Sequence, residues 1–185
     1  MYGLKLITPP TTEPVTLAEI KAYLRLDPAP DATLDNGLND LSVAARTEAE
    51  NFQNRAYMER TYDFALDYFP LMPLRVPMPS LVSIESIKYT DEDGVITTIP
   101  ATDYIIDLIS EPGRIAFAKG KNWPSVSLQS VNGVVIRFVA GSGSATENVK
   151  LAIKFFVGFR FENPEQEEMP EAFYDLLWPD RTIPV

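Results

Sequence analysis

The hydrophobic pattern of this chain changes period twice, and that double switch restricts the fold more than any other feature. From Thr16 to about Met58 apolar residues recur at helical spacing, from Thr61 to about Ala140 they alternate, and from Thr146 helical spacing returns. One backbone geometry cannot serve both periods, because side chains repeat every 3.6 residues on a helix and every 2.0 on a strand. The expected fold class is therefore α+β: N- and C-terminal helices form a small bundle around an inserted antiparallel β region, sandwich-like or barrel-like. The boundaries follow the switches: 1–60 helical, 61–145 the β insertion, 146–178 the helices that complete the bundle, and 179–185 an extended tail.

The first helix announces itself through its cap. Thr16 is placed to accept from the N3 amide and Glu19 to reach back to the Thr16 amide, a capping box, while Val15 and Ile20 can form a hydrophobic staple. Leu17, Ile20 and Leu24 share a stripe, with Glu19, Lys21 and Arg25 largely elsewhere, and Asp27-Pro28 is the expected stop. A longer amphipathic helix is expected from Thr33 to Met58. Its inner positions are Leu34, Leu38, Leu41, Ala45, Phe52 and Ala56, and Asp35, Asn39, Arg46 and Glu50 fill its outer face.

In TYDFALDYF, Tyr62, Phe64, Leu66 and Tyr68 alternate with Asp63, Ala65 and Asp67, the mark of a half-buried strand. LRV, LVSIESIKYT, VITTI, DYIID, RIAF and GVVIRFVA continue the series, separated by glycine and proline. After Thr146, Val149, Ala152, Ile153 and Phe156 form one stripe, but Phe155, Val157, Phe159 and Phe161 carry apolar surface to the other sides. Such a helix needs cover on several sides, either in its own core or between subunits. A strand through FFVGFRF is a third alternative. Pro170 can open a last short helix carrying Phe173, Leu176 and Leu177, and Pro179 closes it.

The chain has no histidine and no cysteine, so the usual general base, a disulfide framework and a thiolate zinc site are all excluded. Neither a signal peptide nor a membrane span is expected. The net charge of -10 opposes a protein whose task is to grip a phosphate backbone. TDEDG lacks the spacing and the bidentate glutamate of a calcium loop and reads as a hairpin turn. Asp103, Asp107 and Glu111 read as solvated loop carboxylates rather than a glycosidase pair, and GSGS lacks the Lys-Ser/Thr of a phosphate loop. KGKNWP is read as a loop anchored by Trp123 rather than a nucleic-acid contact. No catalytic, cofactor-binding or metal-binding residue is expected.

Taken in order, PVTLAEIKAYLRLD, LNDLSVAARTEAENFQNRAY, TYDFALDYFP, VSIESIKYTDEDGVITTIPATDYIID, EPGRIAFAKGKNWP, VVIRFVAG, VKLAIKFFVGFRFENPE and LLWPDR resemble one family across nearly the whole chain. It is the head-to-tail connector family, also called adaptor or head-completion proteins, of long-tailed phages and gene transfer agents. The chain departs from that pattern at Asn54-Arg55-Ala56, where the family tends to carry a Thr-Gly-Arg-like turn, and at Asp180, where it tends to carry an aromatic.

The resemblance implies a non-catalytic virion protein, made in the host cytoplasm and placed at the head-tail junction. It implies a homo-oligomeric ring, in its usual form a dodecamer, beneath the portal protein, with a tail-side stopper or tail terminator on the other face. DNA passes through without sequence-specific binding, and no membrane is involved. The expected portal-docking tail is Leu176, Leu177, Trp178, Arg181, Ile183 and Val185, and the expected subunit interface is Phe155, Val157 and Phe159. Glu165, Glu167 and Glu168 are the candidates for the channel lining. The reading held against this one is a β-sandwich binding module on the virion surface or baseplate.

Overall fold

A computed structural model describes residues 2–166 and 168–182. The chain divides into two compact units, one comprising Met1–Pro10 with Glu59–Ser142 and the other Thr11–Met58 with Gly143–Val185.

The first unit is built on strands. A five-stranded antiparallel sheet has the order β1-β2-β8-β4-β5. Its strands are β1 (Tyr2–Thr8), β2 (Arg60–Leu66), β4 (Leu81–Thr90), β5 (Ile96–Thr98) and β8 (Val134–Ala140). A three-stranded sheet has the order β3-β7-β6, from Leu74–Arg75, Arg114–Phe117 and Tyr104–Asp107. Neither sheet closes on itself among the described residues, so the β region is open and not a barrel.

Alternation does what it predicts on β2 and β8. Tyr62, Phe64 and Leu66 are buried and register against Phe138, Ile136 and Val134, and the Tyr62 and Phe138 rings stack at 5.5 Å. On the opposite face Arg137 donates to both oxygens of Asp63 at 2.7 Å, a bidentate pair between cross-strand partners. The small sheet joins the large one at a close approach: a Cβ on Gly113 would lie 2.7 Å from Leu81 Cβ and 2.6 Å from its Cδ2. The Gly113 carbonyl meanwhile accepts from Val76 N at 2.8 Å.

Strand β1 was not legible as a strand. It pairs antiparallel with β2, Leu4 opposite Phe64, yet all its residues are exposed and its alternation fails at Leu6-Ile7. The sheet therefore takes residues 2–8 out of the stretch expected to be helical.

The second unit is helical. Helix α1 (Leu17–Leu24) carries the expected capping box, with Glu19 N to Thr16 Oγ1 at 3.3 Å and Thr16 N to Glu19 Oε2 at 2.8 Å, and both staple residues, Val15 and Ile20, are buried. It ends before Asp27-Pro28, because Arg25 adopts a left-handed cap at φ 57°. Helix α2 (Ala32–Gln53) stops at Asn54 in the same conformation, short of Met58. Helix α3 (Glu147–Glu162), capped by Thr146, settles the helix-or-strand alternative for FFVGFRF in favour of helix. Helix α4 (Glu171–Leu177) runs into a single 3-10 turn, Trp178–Asp180. The core joins Ile20, Leu38, Ala45, Ile153, Phe156 and Phe173 from all four helices.

Three charged residues expected on outer faces are buried instead. Lys21 donates to the Ala29 carbonyl at 2.8 Å and pairs with Asp35 at 2.6 Å, pinning the α1–α2 connection to α2. Arg46 bonds Glu13 at 2.7 Å and Glu50 at 2.9 Å, and Glu50 accepts from Tyr57 N at 2.9 Å. Burial of these charges is tolerable because each meets an opposite charge and further hydrogen bonds. No helix among the described residues is long and apolar enough to cross a membrane.

The Gly113 contact gives a test. Gly113→Ala drives a methyl into Leu81 Cβ, an atom fixed by the β4 backbone, so the cost should be about 1–3 kcal/mol. Chemical denaturation should show a lower midpoint with an unchanged m-value.

Candidate assembly surfaces

Among the described residues no group of three or more acidic side chains is placed to hold a metal ion. Asp103 pairs with Lys121 at 2.9 Å. Asp107 accepts from Ser110 Oγ at 2.7 Å, Ser110 N at 3.1 Å, Ile109 N at 3.0 Å and Arg114 Nη2 at 2.6 Å. The Ser110 hydroxyl first, then Arg114 and the two amides, hold the Asp107 carboxyl well below the usual carboxylate range. TDEDG is a turn: Gly94 sits at φ 80° and donates to the Asp91 carbonyl at 3.1 Å. In KGKNWP, Trp123 stacks on Phe69 at 4.8 Å and donates to the Pro70 carbonyl at 2.7 Å.

The C-terminal arm is rooted in its own helical unit as far as Thr182. Leu177 is fully buried and Leu176 half-buried. The Gln53 side chain, itself buried, donates to the Leu177 carbonyl at 2.5 Å and accepts from the Tyr57 hydroxyl at 2.7 Å. Thr182 N donates to the Gln53 carbonyl at 2.9 Å, and Asn54 Nδ2 to the Thr182 carbonyl at 3.1 Å. The Arg181 guanidinium lies over Phe52 at 4.8 Å and over Trp178 at 5.3 Å. Trp178 nevertheless keeps 63% of its surface exposed. Ile183 and Val185 lie outside the described residues.

Helix α3 divides its apolar surface. Val157 is fully buried, and Gly158 lets α1 come close enough that a Cβ there would lie 3.2 Å from Leu24 Cδ2. Phe155 and Phe159 are half-buried, with ring centroids 6.5 Å apart, and Leu151 and Phe161 are exposed. Glu165 and Glu168 are exposed, and Glu167 lies outside the described residues. Glu168 lines a shallow cavity of about 540 Å³ with Glu48, Arg160 and Tyr174, where the Tyr174 hydroxyl donates to Glu48 at 3.2 Å.

Two features escaped the sequence reading. Gln53 occupies an inner position of the α2 pattern, but nothing local shows that its partner lies 124 residues away. The adjacent aliphatics Leu108 and Ile109 continue the DYIID alternation without its polar partners, which is the one available sign that they stand at an exposed hairpin tip.

No protein-family model and no curated protein matches the chain. Solved structures do match. A chain in the neck of an empty gene transfer agent particle, computed with C6 symmetry, superposes with a TM-score of 0.80 and 21% identity over 99% of this chain and 97% of that one. A chain in the virion of a native gene transfer agent particle gives 0.77 and 20% identity over 98% and 96%. A chain in the neck of the native particle, computed with C12 symmetry, gives 0.74 and 20% over 99% and 97%. At this identity the likeness establishes the fold, and it does so from end to end.

Two outcomes follow from the geometry. Gln53→Leu keeps the volume but removes the partners of the Leu177 carbonyl and the Tyr57 hydroxyl seen here, and should destabilise by about 1–3 kcal/mol, read from thermal unfolding. Because the folded Asp107 carboxyl titrates below its ordinary value of 3.8, its stabilising contribution is present above that value and is lost as pH falls through the folded value. Asp107→Asn should therefore flatten the acid limb of the stability-pH curve and leave its neutral slope unchanged.

Proposed function

We propose that the chain is a structural, non-catalytic virion protein of the head-tail neck, repeated as a closed ring around the DNA channel. One observation carries this reading: the whole chain, helical unit and inserted β unit together, shares its fold with neck chains in particles computed with sixfold and twelvefold symmetry. A ring of one chain type needs a heterologous contact, two different patches on each copy. The half-buried Phe155 and Phe159, backed from the core by Val157, supply one apolar face for such a contact. Twelve copies is the number we propose.

The finer role is that of an adaptor between the portal protein and a tail-side stopper or terminator. Trp178 and Arg181 are the docking group, Leu176 flanks them, Leu177 roots the arm in the core, and Ile183 and Val185 extend it. Tryptophan and arginine are the side chains over-represented at interface hot spots, and an anchor already held in place loses less entropy on docking. Exposed Glu165 and Glu168, with Glu167 between them in sequence, would line the channel and oppose close phosphate approach within roughly 8 Å at physiological salt. DNA would then pass without adhering.

A reconstruction of the particle neck tests the placement, and density for this chain at the virion surface or baseplate would favour the binding-module reading instead. The docking arm has its own test. Since residues as far as Thr182 belong to the helical fold, the informative variant is Trp178→Ala combined with removal of residues 183–185. Its unfolding midpoint should stay close to that of the parent while incorporation into portal-containing heads is lost. Normal incorporation overturns the docking role.

A further inference from the structure

The tip of the β6–β7 hairpin is the most exposed apolar feature that the structure also holds rigid. Ile109 is 95% exposed and Leu108 beside it 51%. An aliphatic pair at a loop tip would ordinarily be mobile, but here the Asp107 carboxylate binds Ile109 N, Ser110 N, Ser110 Oγ and Arg114 together, and Gly113 is wedged against Leu81. A knob fixed in advance loses little entropy on docking, which is what a binding anchor requires.

The same chain carries an unfilled groove of matching character. Leu34, Gly37, Leu41, Phe161 and Pro164 line a cavity of about 420 Å³ on the helical unit, roomy enough for two aliphatic side chains. Gly37 stands at the mouth with nothing within 4 Å of where a Cβ would be, so the helix surface there is open to an incoming side chain. The rims differ in sign: Arg160 lies at the groove, and Glu111 follows the knob in the hairpin turn.

We propose that the Leu108–Ile109 knob of one copy seats in the Leu34/Gly37/Leu41/Phe161 groove of a second copy of this chain. Knob and groove are different patches, so the contact is heterologous and propagates head to tail, the kind of contact that closes a ring when the rotation permits. Burial of two aliphatic side chains supplies the apolar centre, and the opposed rim charges orient it. The inference deepens the ring reading by naming one of its contacts, and rests on that reading for the identity of the occupant.

The chain has no cysteine, so an introduced pair reports a single contact. Gly37→Cys/Ile109→Cys, both at exposed positions, would be oxidised as the full-length protein in concentrated solution and run under denaturing, non-reducing conditions. The control is Gly37→Cys/Leu71→Cys, whose second site is as exposed, at 93%. The expected result is a ladder of dimer, trimer and higher species, exceeding the control by about tenfold or more because the contact raises the local thiol concentration. A ladder no stronger than the control, or dimers formed only through Ile109→Cys on both copies, overturns the contact even if neck imaging finds the ring. A strong ladder from a chain that imaging does not find in the neck upholds the contact and removes the neck assignment.

Discussion

The constraint on which the rest of the structure depends is closure of the helical unit across a gap of more than eighty residues in the chain, marked by a hydrogen bond of 3.0 Å from Gly143 N to the Tyr57 carbonyl. The helices before residue 58 and after residue 143 form one core, so the inserted segment must leave and return at nearly one point. The insertion meets that demand from its own side. Its first strand β2 and its last strand β8 are neighbours, with Arg60 registered against Ala140. Each unit thus holds the two ends of the insertion together independently, which keeps the loop-closure cost of so long an insertion modest. Glu50 reinforces the junction by accepting from Tyr57 N, and it is in turn held by Arg46.

The same logic explains what the sequence disclosed. Local devices were legible because their causes are local: the Thr16–Glu19 box, the Tyr62–Leu66 alternation and the Asp93-Gly94 turn each depend on residues a few positions apart. Helix ends were less legible, since Arg25 and Asn54 adopt left-handed caps that glycine ordinarily supplies and no glycine marks them. Lys21, Arg46 and Glu50 were misplaced because a charge pattern shows where charges fall on a helix but not which distant partner neutralises them. Strand β1 stayed hidden for a related reason: an edge strand exposed on both faces has no buried side to impose alternation. The candidate surfaces were legible as apolar excess alone. Division of the α3 aromatics into core and surface required the position of α1, which Gly158 sets and a periodicity cannot show.

Helix α3 divides its apolar side chains between the core and the surface. Val149, Ala152, Ile153, Phe156 and Val157 are consumed by the core. Phe155 and Phe159 are stacked against one another and only partly covered. A single helix thus presents a rigid aromatic pair on a buttressed backing, and the entropy of ordering those rings is already spent in the monomer.

The two tryptophans occupy contrasting surroundings, one in each unit. Trp123 is sandwiched against Phe69 with its indole nitrogen bonded to a carbonyl, whereas Trp178 is largely in water beside the Arg181 guanidinium. Half-buried Trp123 should therefore emit at shorter wavelength than the solvated Trp178. Each unit thus holds its own optical label, and an event that dries the arm without touching the sheets should change the long-wavelength side of the emission alone.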